Sequence, residues 1–186
     1  EALPLKSRAV DMVWSNLTVQ WCNNLETAFA EFHRVLAPGG LLMFSTLGPD
    51  TLKELRAAFA GLDGYTHVNR FADMHDIGDM LAGAGFAAPV MDMEHITLTY
   101  ADALSVMRDL KALGAHNVTR GRRHGLTGKS EWQAVARNYE QFRIDGKLPA
   151  TFEVVYGHAW KPEGTPSRTA DGAQVIKLDL KRPRLG

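Results

Sequence analysis

The stretch Val10–Thr46, VDMVWSNLTVQWCNNLETAFAEFHRVLAPGGLLMFST, decides the fold. Val10–Trp14 is a short apolar run with β-branched residues, broken by Ser15-Asn16, and it suits a buried strand of a parallel sheet. Leu25, Ala28, Phe29, Phe32, Val35 and Leu36 then recur at helical spacing, behind an Asn23/Glu26 pair in capping-box register. Pro38-Gly39-Gly40 is expected to end that helix, and Leu41–Ser45 reads as a second strand. Strand, helix and strand in this order imply a right-handed parallel crossover, so the fold class is α/β.

The pattern continues outward from there. Asp50 is expected to cap a helix bearing Leu52, Leu55 and Phe59, and Asp73 a helix bearing Met74, Ile77, Leu81 and Ala84 that stops at Gly85. In Val90–Tyr100, Met91 and Met93 alternate in one phase and Ile96, Leu98 and Tyr100 in the other, which predicts a bulge near Glu94-His95. Two helices follow. One carries Ala103, Val106, Met107, Leu110 and Leu113; the other carries Trp132, Val135, Tyr139 and Phe142 after a Ser130/Gln133 box. Thr151–Trp160 alternates as a strand. These assignments give one unit over residues 1–160 with a helical insertion at about 101–148. Residues 161–186 are rich in Pro, Gly, Ser and Thr and read as a mobile tail with one edge strand at 174–180.

Composition narrows the function classes. In 186 residues, 21 Lys plus Arg balance 21 Asp plus Glu, so no global field draws in nucleic acid or an anionic membrane. The single cysteine, Cys22, rules out an internal disulfide framework and fits a cytoplasmic protein. No apolar run approaches the ~18 residues of a membrane span. The seven histidines fall into no H-x-x-x-H or H-E-x-x-H spacing, so no metal site is expected. Ser15 and Ser45 lack a G-x-S-x-G elbow, which argues against a hydrolase.

Glu31-Phe32-His33-Arg34-Val35-Leu36-Ala37-Pro38-Gly39-Gly40 resembles the E-x-x-R-V-L-x-P-G-G segment of class I S-adenosylmethionine-dependent methyltransferases. More specific are Leu3-Pro4-Leu5, Asp11-Met12-Val13-Trp14-Ser15-Asn16-Leu17, Val19-Gln20-Trp21-Cys22 and Asn24-Leu25. With Phe44-Ser45-Thr46-Leu47, Thr51-Leu52-Lys53-Glu54-Leu55, Asn69-Arg70-Phe71 and Ile96-Thr97-Leu98, they resemble the malonyl-acyl-carrier-protein O-methyltransferases of biotin biosynthesis. The resemblance runs from Leu3 to about Trp160.

It implies a Rossmann-like sheet with the methyl donor, S-adenosylmethionine, across the carboxyl ends of the strands. The glycine-rich loop and the acidic residues that such enzymes use for the donor are not found in these 186 residues. The expectation is therefore the C-terminal part of a methyltransferase sheet with helical insertions, its N-terminal cofactor-binding half absent and the chain inactive alone. The cofactor contacts implied are Ser15, Asn16, Leu17, Gln20 and Trp21. The first strand, 10–14, is expected to leave an apolar edge that a dimer contact would cover.

The reaction implied is methyl transfer to the free carboxylate of malonyl on an acyl-carrier protein. A carboxylate, with a pKa near ~4, is already a nucleophile at neutral pH, so no catalytic base is expected. A cation can hold it, and the candidates are Arg70 and Lys53. Between Asp109 and Glu131 lie Lys111, Arg120, Arg122, Arg123 and Lys129 with no acid among them, a patch suited to an acidic carrier protein. Two other readings stand beside this one: a quinone-type small-molecule methyltransferase, and a methyltransferase-like assembly factor of respiratory complex I. The latter shares a Pro149-Ala150-Thr151-Phe152-like strand.

Overall fold

The computed structural model describes residues 2–115, 122, 125 and 128–164. The expected tail strand at 174–180 lies outside the described residues. Four strands, β1 (Val10–Asn16), β2 (Leu36–Leu47), β3 (Ala87–Tyr100) and β4 (Leu148–Trp160), form one sheet in the order β1-β2-β4-β3. Helix α1 (Leu25–Val35) joins β1 to β2, which run parallel. Helices α2 (Lys53–Phe59) and α3 (Met74–Gly83) lie between β2 and β3, while α4 (Ala103–Ala112) and α5 (Lys129–Glu140) lie between β3 and β4. Strand β4 is antiparallel to both of its neighbours.

Two apolar clusters hold these elements. One gathers Val19, Phe29, Leu36, Leu42, Phe44, Ile77, Leu81, Phe86, Val155 and Ala159 under α1 and α3. The other gathers Leu55, Phe59, Val68, Val106, Leu110, Val135, Tyr139, Leu148 and Ala150 among α2, α4, α5 and the start of β4. Side chains alternate across a strand, so β4 gives odd-numbered residues to the first cluster and even-numbered ones to the second. On the remaining sheet face the pairing brings Trp14, Met43 and His158 into line across β1, β2 and β4. Trp14 is 71% exposed there, on the edge strand β1.

Several local expectations are corrected. The cap of α1 is Asn24, one residue later than read, with Oδ1 accepting from the Thr27 amide at 2.9 Å. Pro38-Gly39-Gly40 does not separate helix from strand: β2 starts at Leu36, and the segment forms a bulge between the Val10–Leu36 and Met12–Leu41 pairs. The reason lies across the sheet. Lys161 donates its ammonium to the carbonyls of His33 (2.6 Å) and Leu36 (2.8 Å), satisfying the end of α1 so that the chain extends at once. Gly39 adopts φ +77° within the bulge.

Asp50 does not cap α2. Glu153 of β4 takes the Asp50 amide at 2.7 Å, and the residue before the helix is Leu52 in a left-handed conformation. The β3 bulge falls between Ala87 and Val90, and pairing from Val90 to Tyr100 is unbroken through Glu94-His95. The change of hydrophobic phase has another cause: Met91 packs on the first cluster and Tyr100, on the opposite face, on the second. Helix α5 begins behind Gly128, whose amide donates to Glu131, so the Ser130/Gln133 pair lies inside the helix.

The E-x-x-R motif has a definite structural task. Arg34 pairs with Glu31 at 2.6 Å, Glu31 accepts the Leu3 amide at 2.7 Å, and Arg34 donates to the Leu5 carbonyl at 2.8 Å. Together they tie Leu3–Leu5 to α1. The Arg34 guanidinium, with the Leu3 amide, holds the Glu31 carboxyl at about 2, well below the usual carboxylate range. Because the folded value is the lower one, the tie is fully present above about 4.5 and is lost as pH falls through about 2. The Leu3 amide resonance should keep its bonded shift from neutral pH down to that range; Glu31→Ala, which leaves no acceptor, should release it at every pH.

Gly157 of β4 lies where a Cβ would enter the Phe44 ring and meet the Met91 sulfur. Gly157→Ala should therefore cost ~1–3 kcal/mol of stability by overpacking, read from urea denaturation midpoints. An unchanged midpoint would mean that Phe44 moves aside without loss.

Candidate functional site

The carboxyl end of β1 sits beside that of β2 because the two strands are parallel and in register, Ser15 against Phe44 and Asn16 against Ser45. Ser45 organises this corner. Its hydroxyl donates to Asn16 Oδ1 and accepts from the Leu17 amide at 3.0 Å, while its carbonyl also accepts that amide at 3.1 Å. Leu17 adopts φ +46°, which turns the chain sharply into the short 3-10 segment Val19–Trp21. Gln20 Nε2 then donates back to the Leu17 carbonyl at 2.7 Å. Its Oε1 is buried with no partner among the described residues.

Beyond this corner are two recesses. A cleft of about 390 Å³ runs past Gln20, Asn24, Thr46, Leu47 and Arg70 towards α3. A larger cavity of about 520 Å³ is walled by Leu47, Leu52, Leu55, Phe59, Phe71, Met107, Leu110 and Phe152, with Gln20 and Trp21 at one side. Its polar groups are few: Thr51, His67, Asn69, Lys111 and Arg122. Asn69 Oδ1 is a second buried amide oxygen without a partner among the described residues. A mostly apolar recess with a few convergent polar groups is the usual form of a small-molecule site.

The five residues expected to meet the cofactor are thus brought to one corner, but in two roles. Ser15, Asn16 and Leu17 shape the strand end, whereas Gln20 and Trp21 line the larger cavity. Arg70 lines the cleft, together with a smaller recess behind it. Lys53 lines none of these recesses. It pairs with Asp50 at 2.7 Å on the far side of the Gly48–Thr51 turn, the hydrogen bond holding the ammonium above its ordinary pKa and the Asp50 carboxyl below its own. Of the basic patch, Arg122 lines the larger cavity and Lys129 opens α5, while Arg120 and Arg123 lie outside the described residues.

Sequence reasoning missed three residues here. Ser45 could have been found from its place at the end of the adjacent parallel strand. Asn69 stood in the Asn69-Arg70-Phe71 motif without a role and His67 in no motif, because both belong to an irregular loop whose course only the packing defines. Asp50, His95 and Glu153 also converge, with ligand atoms within 4.8 Å of one another. The Lys53 ammonium at 2.7 Å from Asp50 already supplies a cation to that group.

Comparisons with known proteins point to methyltransferases. Residues 1–44 match the model of a methyltransferase domain. The chain is 66% identical over 181 residues to the malonyl-[acyl-carrier protein] O-methyltransferase of Gallionella capsiferriformans and 60% identical over 184 residues to that of Laribacter hongkongensis. The chain is similar to these methyltransferases over nearly its whole length. The alignments take in 97% and 98% of the chain and 62% of each relative, so the chain spans about three-fifths of the length of these proteins. The fold follows that of solved structures as well. YcgJ from Bacillus subtilis superposes with a TM-score of 0.56 at 12% identity, over 88% of this chain and 68% of that one. A protein from Bacillus halodurans C-125 does so with a TM-score of 0.56 at 18% identity, over 86% and 68%. The sheet of this chain, β1-β2-β4-β3 with both parallel and antiparallel pairs, is mixed and of the Rossmann-like kind.

Lys53 and Asp50 are both about half exposed, so the pair contributes little. Lys53→Gln should change stability by less than ~1 kcal/mol in thermal denaturation. A larger loss would show that the pair holds the turn that Glu153 organises.

Proposed function

We propose that the protein carrying this chain transfers a methyl group from S-adenosylmethionine to the free carboxylate of malonyl held on an acyl-carrier protein, in biotin synthesis in the cytoplasm. The single observation that carries the reading is the kinship at 66% identity over 97% of the chain with a protein of that name. The geometry supports it. A largely apolar cavity of about 520 Å³ opens at the paired strand ends, with Arg122 and Lys111 in its lining. No helix among the described residues is long and apolar enough to cross a membrane.

The residues at the strand ends fit a methyl donor. Gln20 Oε1 is a buried acceptor without a partner among the described residues, suited to an ammonium or hydroxyl donor, and Asn16 is held in place by Ser45. Ser15, Asn16, Leu17, Gln20 and Trp21 would hold the donor, which supplies an electrophilic methyl group on a sulfonium. The rest of the work falls to this chain. Leu47, Leu55, Phe71 and Phe152 exclude water from the cavity, and removing water strips the hydration shell that makes a carboxylate a sluggish nucleophile. Since the carboxylate is ionised at neutral pH, no residue needs to accept a proton, and orientation carries the rate. Arg70 would bind the substrate carboxylate; Lys53, committed to Asp50, would act at most by attracting it from a distance. The basic residues Arg120, Arg122, Arg123 and Lys129 would face the acidic carrier protein.

Two outcomes follow. The full-length gene should restore growth of a biotin-requiring strain that lacks this step, and the purified product should convert malonyl-carrier protein to its methyl ester by mass spectrometry. Soluble expression without rescue or ester would sink the reading. The 186-residue chain alone contains no glycine-rich donor loop, so calorimetry should show no binding of S-adenosylmethionine in the micromolar range.

A further inference from the structure

Behind the apolar cavity lies a second, smaller recess of about 200 Å³, which shares Phe59, His67 and Val68 with it. Its lining has a different chemistry. Arg56 and Arg70 both border it, and the ring of His67 stands between the two recesses. Among its lining residues the one acid is Asp63, whose carboxylate is already engaged: His67 Nε2 lies 2.9 and 3.0 Å from its two oxygens, and the Tyr65 amide donates to it at 2.9 Å. Neither guanidinium forms an ion pair with a described carboxylate. Arg56 donates to the carbonyls of Pro49 (2.9 Å) and Thr51 (3.0 Å), yet its Nε–H is buried and has no acceptor among the described residues.

His67 is fixed more firmly than an exposed loop histidine. Its ring stacks on Phe59 with centroids 3.8 Å apart and planes 12° apart, and Asp63 holds one nitrogen. No described residue bonds its other nitrogen. Two guanidiniums without counter-ions, an orphaned buried donor and an oriented imidazole around a small recess make a site for an oxyanion, because a charged acceptor would satisfy donors that the protein leaves open.

We propose that Arg56, His67 and Arg70 form an oxyanion subsite that takes a carboxylate or a phosphate group. Resting on the reading above, a malonyl-loaded carrier arm offers both: the free carboxylate of the acyl group and the phosphate that joins the arm to its carrier. The wall shared with the apolar cavity puts either group next to the arm.

The test is a titration of the 186-residue chain with malonate and, separately, with inorganic phosphate, following the His67 ring resonances. Saturable shifts are expected, weakened at least ten-fold by Arg70→Gln and unchanged by Lys6→Gln, an exposed cation away from the recess. Arg56→Gln should act like Arg70→Gln; since Arg56 also holds the Pro49–Thr51 carbonyls, Arg70→Gln is the decisive variant should the other fail to fold. Saturation by malonate alone assigns the acyl carboxylate, and saturation by phosphate, alone or more tightly, assigns the arm's phosphate. No saturation by either, or binding untouched by Arg70→Gln, overturns the proposal. Anion binding is read without methyl transfer, so saturation in a protein that makes no methyl ester would fail the enzymatic reading and leave the subsite standing.

Discussion

Strand β4 is the constraint on which the rest of the structure depends. It enters antiparallel between β2 and β3, paired with β3 from Leu148 to Trp160 and with β2 from Val154 to Trp160. Its alternating side chains fill two separate cores, Val155 and Ala159 under α1 and α3, Leu148 and Ala150 under α2 and α5. A strand that feeds a core on each face has no room for a slip, since moving by one residue would exchange the two sets. The close approach of Phe44 to Gly157 pins the register further, for a side chain at that position would push the strands apart.

Glu153 within β4 and Lys161 just beyond it extend this control to the loops. Glu153 takes the Asp50 amide through its carboxylate and the Gly48 amide through its carbonyl, so the turn after β2 is shaped from a strand 103 residues away. Lys161, just past the strand, closes the last carbonyls of α1. Burial pushes the Lys161 ammonium below its ordinary pKa, and the positive charge of Arg8 adds to this; the carbonyl acceptors at the C-terminus of α1 nonetheless offer it a fixed negative dipole end. With both ends fixed, the paired ends of β1 and β2 become a rigid floor for the site.

These long-range ties explain what the sequence could and could not disclose. Periodicity located β1, α1, α3, α4 and most of β4, because each buries one face and that requirement writes a pattern into neighbouring residues. The Gly-Gly bulge, the start of α2 and the phase change of β3 were misplaced for a common reason: Lys161, Glu153 and the second core decide them, and local spacing carries no trace of partners 100 residues on. The site divides likewise. The corner at Ser15, Asn16 and Leu17 was visible as a strand end, and Gln20 and Trp21 followed from the family resemblance. Lys53 looked the same as Arg70 in sequence, a cation after a strand, and only the fold shows that one is committed to Asp50 while the other borders two recesses.

The loop from Asp63 to Phe71 carries the chemistry because it has little structure of its own. Lacking a helix or strand ladder, it is held by side chains: His67 stacked on Phe59, Asp63 on His67 and Tyr65, Val68 in the core. A loop fixed in this way can place adjacent residues in different recesses, as a strand or helix with a fixed period cannot. Asn69 and Phe71 enter the apolar cavity while Arg70 between them turns to the cleft and the cationic recess. An acyl arm and its anionic group make opposite demands on their surroundings, one for exclusion of water and one for charge. Separating them by the thickness of a single histidine–phenylalanine stack meets both within one small loop, and the stack is held by the same α2 residue, Phe59, that packs into the core beneath β4.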